Sequence, residues 1–166
     1  LVDAVSQLLE KRVLNIEVLF FGPDQNKLLK EKIENSIRQK NLQNIIKFYG
    51  STKKMNLIYA LSDIVISSST DPEAFGRVSI EAQAMGKLII ASAHGGSQET
   101  ILEGKTGYLY SPKNPFELME KILSAIDQKT YCSNEMSASA IEHIKSNYGK
   151  DKMCKKTLEF YQEIIG

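Results

Sequence analysis

The sequence predicts a doubly wound α/β domain, a parallel sheet covered by helices on both faces. Short apolar runs, such as residues 16–21 (IEVLFF), 64–69 (IVISSS) and 87–91 (KLIIA), alternate with stretches of helical periodicity. Strands covered on both faces need such runs, whereas a half-exposed strand alternates apolar and polar residues. The runs are followed by loops of Gly, Pro, Ser or Asp that lead into the next helical stretch, the βαβ pattern of a parallel sheet. The length of 166 residues, with 42% hydrophobic and 25% charged content, suits one core and falls short of two. The whole chain, 1–166, is therefore read as one domain.

The elements follow in order. Leu1, Val5, Leu8 and Leu9 form the apolar face of a first helix, and strand 16–21 closes on Gly22-Pro23. A helix with Leu28, Leu29, Ile33 and Ile37 on one side precedes strand 45–49, which Gly50 ends. Residues 55–61 form a short helix and 64–69 a strand. The loop Thr70-Asp71-Pro72-Glu73 then enters a helix spanning about 76–85, stopped by Gly86. Strands 87–91 and 107–110 complete the sheet. The next helix opens on Asn114-Pro115-Phe116-Glu117: an N-cap, a proline in the first turn and an acid behind it. Met136, Ala140, Ile141 and Ile144 mark another helix, and Met153, Thr157, Leu158, Tyr161 and Ile165 a last one. There is no repeat, linker or low-complexity tract.

Composition excludes several classes. A net charge of +1 with interspersed signs lacks the one-sided basic excess of phosphate-backbone binders, so nucleic acid is not an expected partner. The Lys152, Lys155 and Lys156 stretch reads as a solvated helix face. Cys132 and Cys154 have no metal-site or disulfide spacing and fit helix residues in a reducing cytosol. No apolar run approaches the roughly 20 residues that span a bilayer. Dinucleotide (Gly-x-Gly-x-x-Gly) and P-loop signatures are absent, and so are an Asp-x-Asp pair and a His/Cys cluster, so no metal is expected. No nucleophile–base pair can be read either. Asp63 precedes its strand, the wrong end for a phospho-acceptor. His94, a lone loop histidine without a partner in sequence, reads as structural ahead of acid–base work.

Ligands of such sheets bind where strand ends turn into helices, which directs attention to residues 70–107. A polar loop there leads into a helix start, Ala-Phe-Gly-Arg, whose free N–H groups attract anions. Gly76 would let a ligand approach the backbone closely. Glu73 stands before this helix and Glu81 about two turns inside it. A carboxylate accepts from two donors at once and so suits vicinal hydroxyls. Spacing alone favours plainer roles, a helix-start acid for Glu73 and an internal ion pair for Glu81.

The run Glu73-Ala-Phe-Gly-Arg-Val-Ser-Ile-Glu81, then Ala82-Gln-Ala-Met-Gly86, residues 91–99 (ASAHGGSQE) and Gly104-Lys-Thr-Gly107 reverse that preference. Together they resemble the family 4 retaining glycosyltransferases, also called glycosyl transferases group 1. The resemblance implies the C-terminal, donor-binding half of a GT-B fold with Rossmann-like topology. By it, Glu73 would hold hydroxyls of the donor sugar and Glu81 the ribose of the nucleotide. The N–H groups of Phe75, Gly76 and Arg77 would meet the sugar or its phosphates, and Ser51 and Thr52 would lie near the base. It implies a nucleotide-diphosphate sugar as co-substrate, no cofactor and no metal. It also implies a glycan or lipid-linked acceptor, with lipopolysaccharide or other envelope polymer the expected product. The whole enzyme is expected in the cytoplasm, with room for peripheral attachment to the inner face of the membrane.

Three departures accompany the match. The chain starts inside a helical pattern, downstream of the Gly-Arg segment and Lys of the family's first strand. It is read as a fragment without that central strand and without the acceptor-binding half. The sheet is therefore expected either to leave a gap or to fill it from elsewhere, and the fragment alone is expected to be inactive. Arg77 stands where the family has an apolar residue, and either reaches the pyrophosphate or pairs at the surface. The turn after residue 21 lacks the first glycine of the usual Gly-x-Gly-Pro. Two other readings stay open, a phosphorylase or synthase of the same architecture and a non-catalytic sugar-nucleotide-binding module.

Overall fold

The computed structural model describes residues 1–12, 14–23 and 26–165. Among these residues five strands and eight α-helices form, alternating as far as the last strand: α1 (Val2–Lys11), β1 (Val18–Phe21), α2 (Lys27–Gln39), β2 (Ile46–Tyr49), α3 (Met55–Leu61), β3 (Ile64–Ser67) and α4 (Arg77–Ala84). They continue as β4 (Leu88–Ser92), α5 (Gly96–Thr100), β5 (Tyr108–Tyr110), α6 (Pro115–Asp127), α7 (Asn134–Tyr148) and α8 (Lys150–Ile165). All strand pairs are parallel. The α/β class expected from the apolar runs is therefore what forms, with helices on both faces.

Strand β4 shows why its sequence is apolar throughout. Leu88 and Ile90 pack with Ala4 and Leu8 of α1 and with Leu118 and Ile122 of α6. Ile89 and Ala91 point the other way, into a cluster with Tyr59 of α3 and Ala82 of α4. Successive side chains leave a strand on opposite faces, so both faces of β4 are core. A third cluster, with Val2, Val5, Ile37 and Ile46, joins α1, α2 and β2.

The sheet is not continuous. Strands β1 and β2 form one pair, and β3, β4 and β5 form a separate three-stranded sheet. Of the two outcomes expected for the sheet, a gap or a filled one, an open gap is the one found. Residues of β1 and β3 line opposite sides of a cleft of about 820 Å³, with Leu8 and Ile122 among its walls. The Val18 amide donates to Ile45 O at 2.9 Å, which turns Val18 and Phe20 toward β2. The backbone groups of Leu19 and Phe21 therefore face the cleft, because hydrogen-bonding groups alternate sides along a strand.

Other differences from the sequence reading are local. Strand β3 ends at Ser67, two residues early, and Ser69 beyond it donates to the Glu73 carboxylate. Helix α5 was not expected from residues 96–100: five residues hold too little apolar periodicity to reveal it. Cys132 closes a short 3₁₀ turn (Thr130–Cys132), while the free thiol of Cys154 is exposed on α8. No residue of α8 is buried, and Met153, Leu158, Phe160, Tyr161, Ile164 and Ile165 lie open on it. Its lysines make local contacts, Lys152 with Ser146 O and Asn147 Oδ1, and Lys155 with Glu159. Among the described residues, no helix is long and apolar enough to cross a membrane.

The start of α6 forms as its sequence requires. Asn114 Oδ1 accepts from Glu117 N at 3.1 Å, and Glu117 Oε2 accepts from Ser111 N at 2.9 Å. Hydrogen bonds from Ser111 hold the Glu117 carboxyl below the usual carboxylate range. A lowered folded pKa makes the stabilisation full above the ordinary value of 4.5 and removes it as pH falls through the folded value. Glu117→Gln should therefore lower the denaturation midpoint at pH 7 and narrow its distance from wild type at pH 3. An equal difference at both pH values would contradict the assignment.

Candidate functional site

The carboxyl ends of β3 and β4 converge on two loops pressed together backbone to backbone. Residues 73–76 lead into α4 and residues 93–96 lead into α5. The amide of Gly96 donates to Glu73 O at 2.8 Å. A Cβ on Gly96 would lie 2.3 Å from Phe75 C, and one on Gly95 would lie 2.3 Å from Glu73 O. Gly95 also holds φ at +56°, which L side chains rarely adopt. The Gly95-Gly96 pair is therefore what lets the two loops touch.

Glu73 is fixed at this junction. Its carboxylate accepts from Ser69 Oγ and, at 3.5 Å, from Ser67 Oγ at the end of β3. His94 in turn holds Ser69, with Nε2 placed 2.9 Å from Ser69 O. A carbonyl only accepts, so Nε2 carries the proton and Nδ1 is left as a buried nitrogen without a partner in the structure. His94 thus ties the loop after β4 to the loop after β3. Glu73 also lines the end of the cleft between the sheets; Phe75, Gly76, Arg77, Glu81, Ser51 and Thr52 do not. The cavity is thus the gap in the sheet, and it meets the site only at that end.

Helix α4 begins at Arg77, one residue later than expected, because Gly76 adopts a left-handed conformation (φ 71°, ψ 48°) as its N-cap. The Gly76 carbonyl accepts from Ile80 N at 3.2 Å, and the amides of the first turn remain outside the intrahelical ladder. Phe75 is exposed above this start, in an edge-to-face contact with Tyr148 whose ring centroids are 6.2 Å apart. Tyr148 Oη donates to Glu99 O at 2.7 Å, so the end of α7 contacts both the Glu73 loop and α5.

Glu81 lies just over one turn into α4 from the Glu73 loop and has two partners. Tyr59 Oη donates to Oε2 at 2.9 Å, and Arg77 Nη2 donates to Oε1 at 3.1 Å. The internal pair and the surface pair open for Glu81 and Arg77 are thus one contact, with Arg77 82% and Glu81 38% exposed at the side chain. Tyr59 is buried, and burial, with the neighbouring Glu81 second, raises its pKa, so the phenol stays protonated and donating. Buried Gln83 joins α4 to α5 by donating to Ser79 O and Thr100 O, both at 3.0 Å.

Thr52 Oγ1 accepts from Lys54 N at 3.1 Å, a bond internal to its own loop after β2. Ser51 is exposed beside it. Both stand at the carboxyl edge of the smaller sheet, on the far side of the cleft from β3. The structure therefore gathers Glu73, Phe75, Gly76, Arg77 and Glu81 around the start of α4 and leaves Ser51 and Thr52 apart. Sequence reasoning missed Ser67, Ser69, Tyr59 and Tyr148. The serines were legible as hydroxyls at a strand end, whereas Tyr59 and Tyr148 reach the site only through tertiary packing. Among the described residues, no group of three or more His, Cys, Asp or Glu is placed to hold a metal ion.

Residues 1–147 match the family described as glycosyl transferases group 1, and the chain belongs to that family. It is 34% identical, over 99% of its length, to a Rickettsia africae glycosyltransferase of known structure, with a TM-score of 0.89. The Anabaena protein HepE, solved in complex with UDP-glucose, shares the fold at 24% identity over 98% of the chain, also with a TM-score of 0.89. The lipopolysaccharide 1,2-N-acetylglucosaminetransferase of Salmonella typhimurium is 32% identical over 107 residues, 64% of the chain. The chain spans 43%, 44% and 28% of the lengths of these three proteins, respectively.

The two loops give a direct test of the site's construction. Gly96→Ala forces a methyl against the Phe75 backbone and should destabilise the chain by about 1–3 kcal/mol, the usual cost of overpacking. Gly50→Ala, with nothing within 4 Å of the added carbon, should leave stability within about 0.5 kcal/mol of wild type in the same denaturant titration. Equal midpoints for the two variants would disprove the close-approach account.

Proposed function

We propose that this chain is the donor-binding module of a retaining hexosyltransferase that uses a nucleotide-diphosphate sugar. The observation that carries this reading is the placement of Glu73 and Glu81 on either side of the α4 start, both partly exposed and both held by hydroxyl donors. Carboxylates only accept hydrogen bonds, and a hexose and a ribose each offer hydroxyl donors. The α4 amides between them suit the negative charge of a diphosphate. In this reading Glu73 holds the transferred sugar and Glu81 the ribose. Phe75, Gly76 and Arg77 line the path between, and Ser51 and Thr52 approach the base across the cleft. The complex of HepE with UDP-glucose supports UDP as the first nucleotide to test.

The acceptor is a glycan or lipid-linked sugar of the cell envelope; similarity to the Salmonella lipopolysaccharide enzyme supports this class. The chain's own residues chiefly position the donor and stabilise charge as the sugar leaves. The open cleft and the uncovered apolar face of α8 are surfaces that the rest of a longer enzyme would cover, with the acceptor bound between the two halves. No cofactor or metal enters the proposal. The enzyme works in the cytoplasm, with its acceptor at the inner membrane face.

Calorimetric titration with UDP, GDP and ADP tests the donor site in the chain as it stands. One nucleotide should bind saturably, and Glu81→Ala should weaken it by about tenfold or more, the order of a hydrogen bond to a charged group. No binding by any of the three would count against a donor site in this chain. In the full-length enzyme, Glu73→Ala should lower turnover by roughly a hundredfold or more, the scale of a lost transition-state contact. Turnover near wild type would remove Glu73 from the mechanism.

A further inference from the structure

Glu81 meets two unlike partners. Arg77 is 82% exposed and lies one turn away on the same helix, so its pair with Oε1 is a solvent-screened contact of the kind a ligand displaces at little cost. Tyr59 is only 4% exposed. Its ring packs among Ala82, Ile89, Ala91 and Ile101, and its hydroxyl emerges at Oε2, 2.9 Å away. If Glu81 swung away, that hydroxyl would lose its partner at the rim of the core, a loss that a largely buried donor resists.

The unequal partners fix the carboxylate. A glutamate on a helix surface samples several rotamers, whereas the Tyr59 hydroxyl selects one and leaves it standing when Arg77 departs. Oε2 stays occupied by the phenol, and Oε1 is presented to incoming donors. Binding two adjacent hydroxyls then carries little further cost of ordering the side chain. We propose that Tyr59 is the positioning residue for diol recognition by Glu81, making the site selective for ribonucleotides over their 2′-deoxy counterparts. The inference rests on the donor-site reading above, which places a ribose at Glu81.

The test titrates the chain with UDP and with 2′-deoxy-UDP, using wild type, Glu81→Gln, Glu81→Asp and Tyr59→Phe. Wild type should prefer UDP, and Glu81→Gln should erase the preference. Tyr59→Phe, which keeps the buried ring, should reduce the preference by about tenfold while moving 2′-deoxy-UDP affinity by no more than about twofold, since one hydrogen bond to a charged group is lost. Glu81→Asp keeps the charge but withdraws it from Tyr59 by one methylene, and should lose the preference in the same way. This variant also serves if Tyr59→Phe fails to fold. Equal weakening of both nucleotides in Tyr59→Phe would make Tyr59 merely structural and overturn the inference, as would a full preference in either Tyr59→Phe or Glu81→Asp. If GDP or ADP is the nucleotide that binds, it and its 2′-deoxy counterpart replace the uridine pair. A preference that survives Glu81→Gln, or wild type that binds none of UDP, GDP and ADP, would overturn the donor-site reading itself.

Discussion

The site depends on one backbone contact, the hydrogen bond from Gly96 N to Glu73 O. It joins the loop leaving β3 to the loop leaving β4 at a separation that leaves no room for a side chain on either Gly95 or Gly96. Two adjacent parallel strands bring their carboxyl ends together as a matter of course. Closing the remaining distance to van der Waals contact requires glycine, and that contact sets where Glu73, Phe75 and the start of α4 stand relative to β4.

The rest of the local structure preserves that contact. His94 holds Ser69, Ser69 holds the Glu73 carboxylate, and Gln83 bridges α4 to the carbonyl of Thr100. Thr100 Oγ1 returns to Gly96 O at 2.9 Å. These are mostly buried or half-buried polar groups bonded to one another, with His94 Nδ1 and Gln83 Oε1 the atoms of the set left without a partner in the structure. Breaking one of the bonds would leave a further group unsatisfied at about 1–3 kcal/mol, so the network tolerates little rearrangement. Both carboxylates thus stand beside this bonded network, Glu73 on its loop and Glu81 on α4, while both stay partly exposed.

The sequence made the layers legible because a strand covered on both faces has to be apolar along its whole length, as β4 is. It made Glu73, Gly76 and Glu81 legible because a helix start after a strand is a place where chemistry gathers, and because the run around them resembles a known family. It could not reveal Tyr59 as the partner of Glu81, since 22 residues and the packing of α3 on α4 separate them. Tyr148, which reaches Glu99 from 49 residues away, was hidden for the same reason. Helix α5 escaped because five residues display little more than one helical period, too few for a repeating apolar face. The split of the sheet was legible only as an alternative, for unpaired strand edges leave no mark on the strand's own composition.

The order of charges along α4 fits an extended ligand better than a compact one. A diphosphate beside two carboxylates would be repelled if all three shared one spot. Here Glu73 precedes the helix, the free amides of the first turn follow, and Glu81 comes just over one turn in, with Arg77 between the carboxylates in sequence. A helix start favours anions through its unpaired N–H groups and its dipole, and the effect fades within the first turn. In the proposed reading the negative centre of the ligand therefore belongs at that first turn, and its two neutral, hydroxyl-bearing ends belong at the carboxylates. Arg77 then has two partners within reach of one side chain, Glu81 in the structure described and the phosphates once a diol takes its place. A sugar joined through a diphosphate to a ribose has that sequence of groups: hydroxyls, negative charge, hydroxyls.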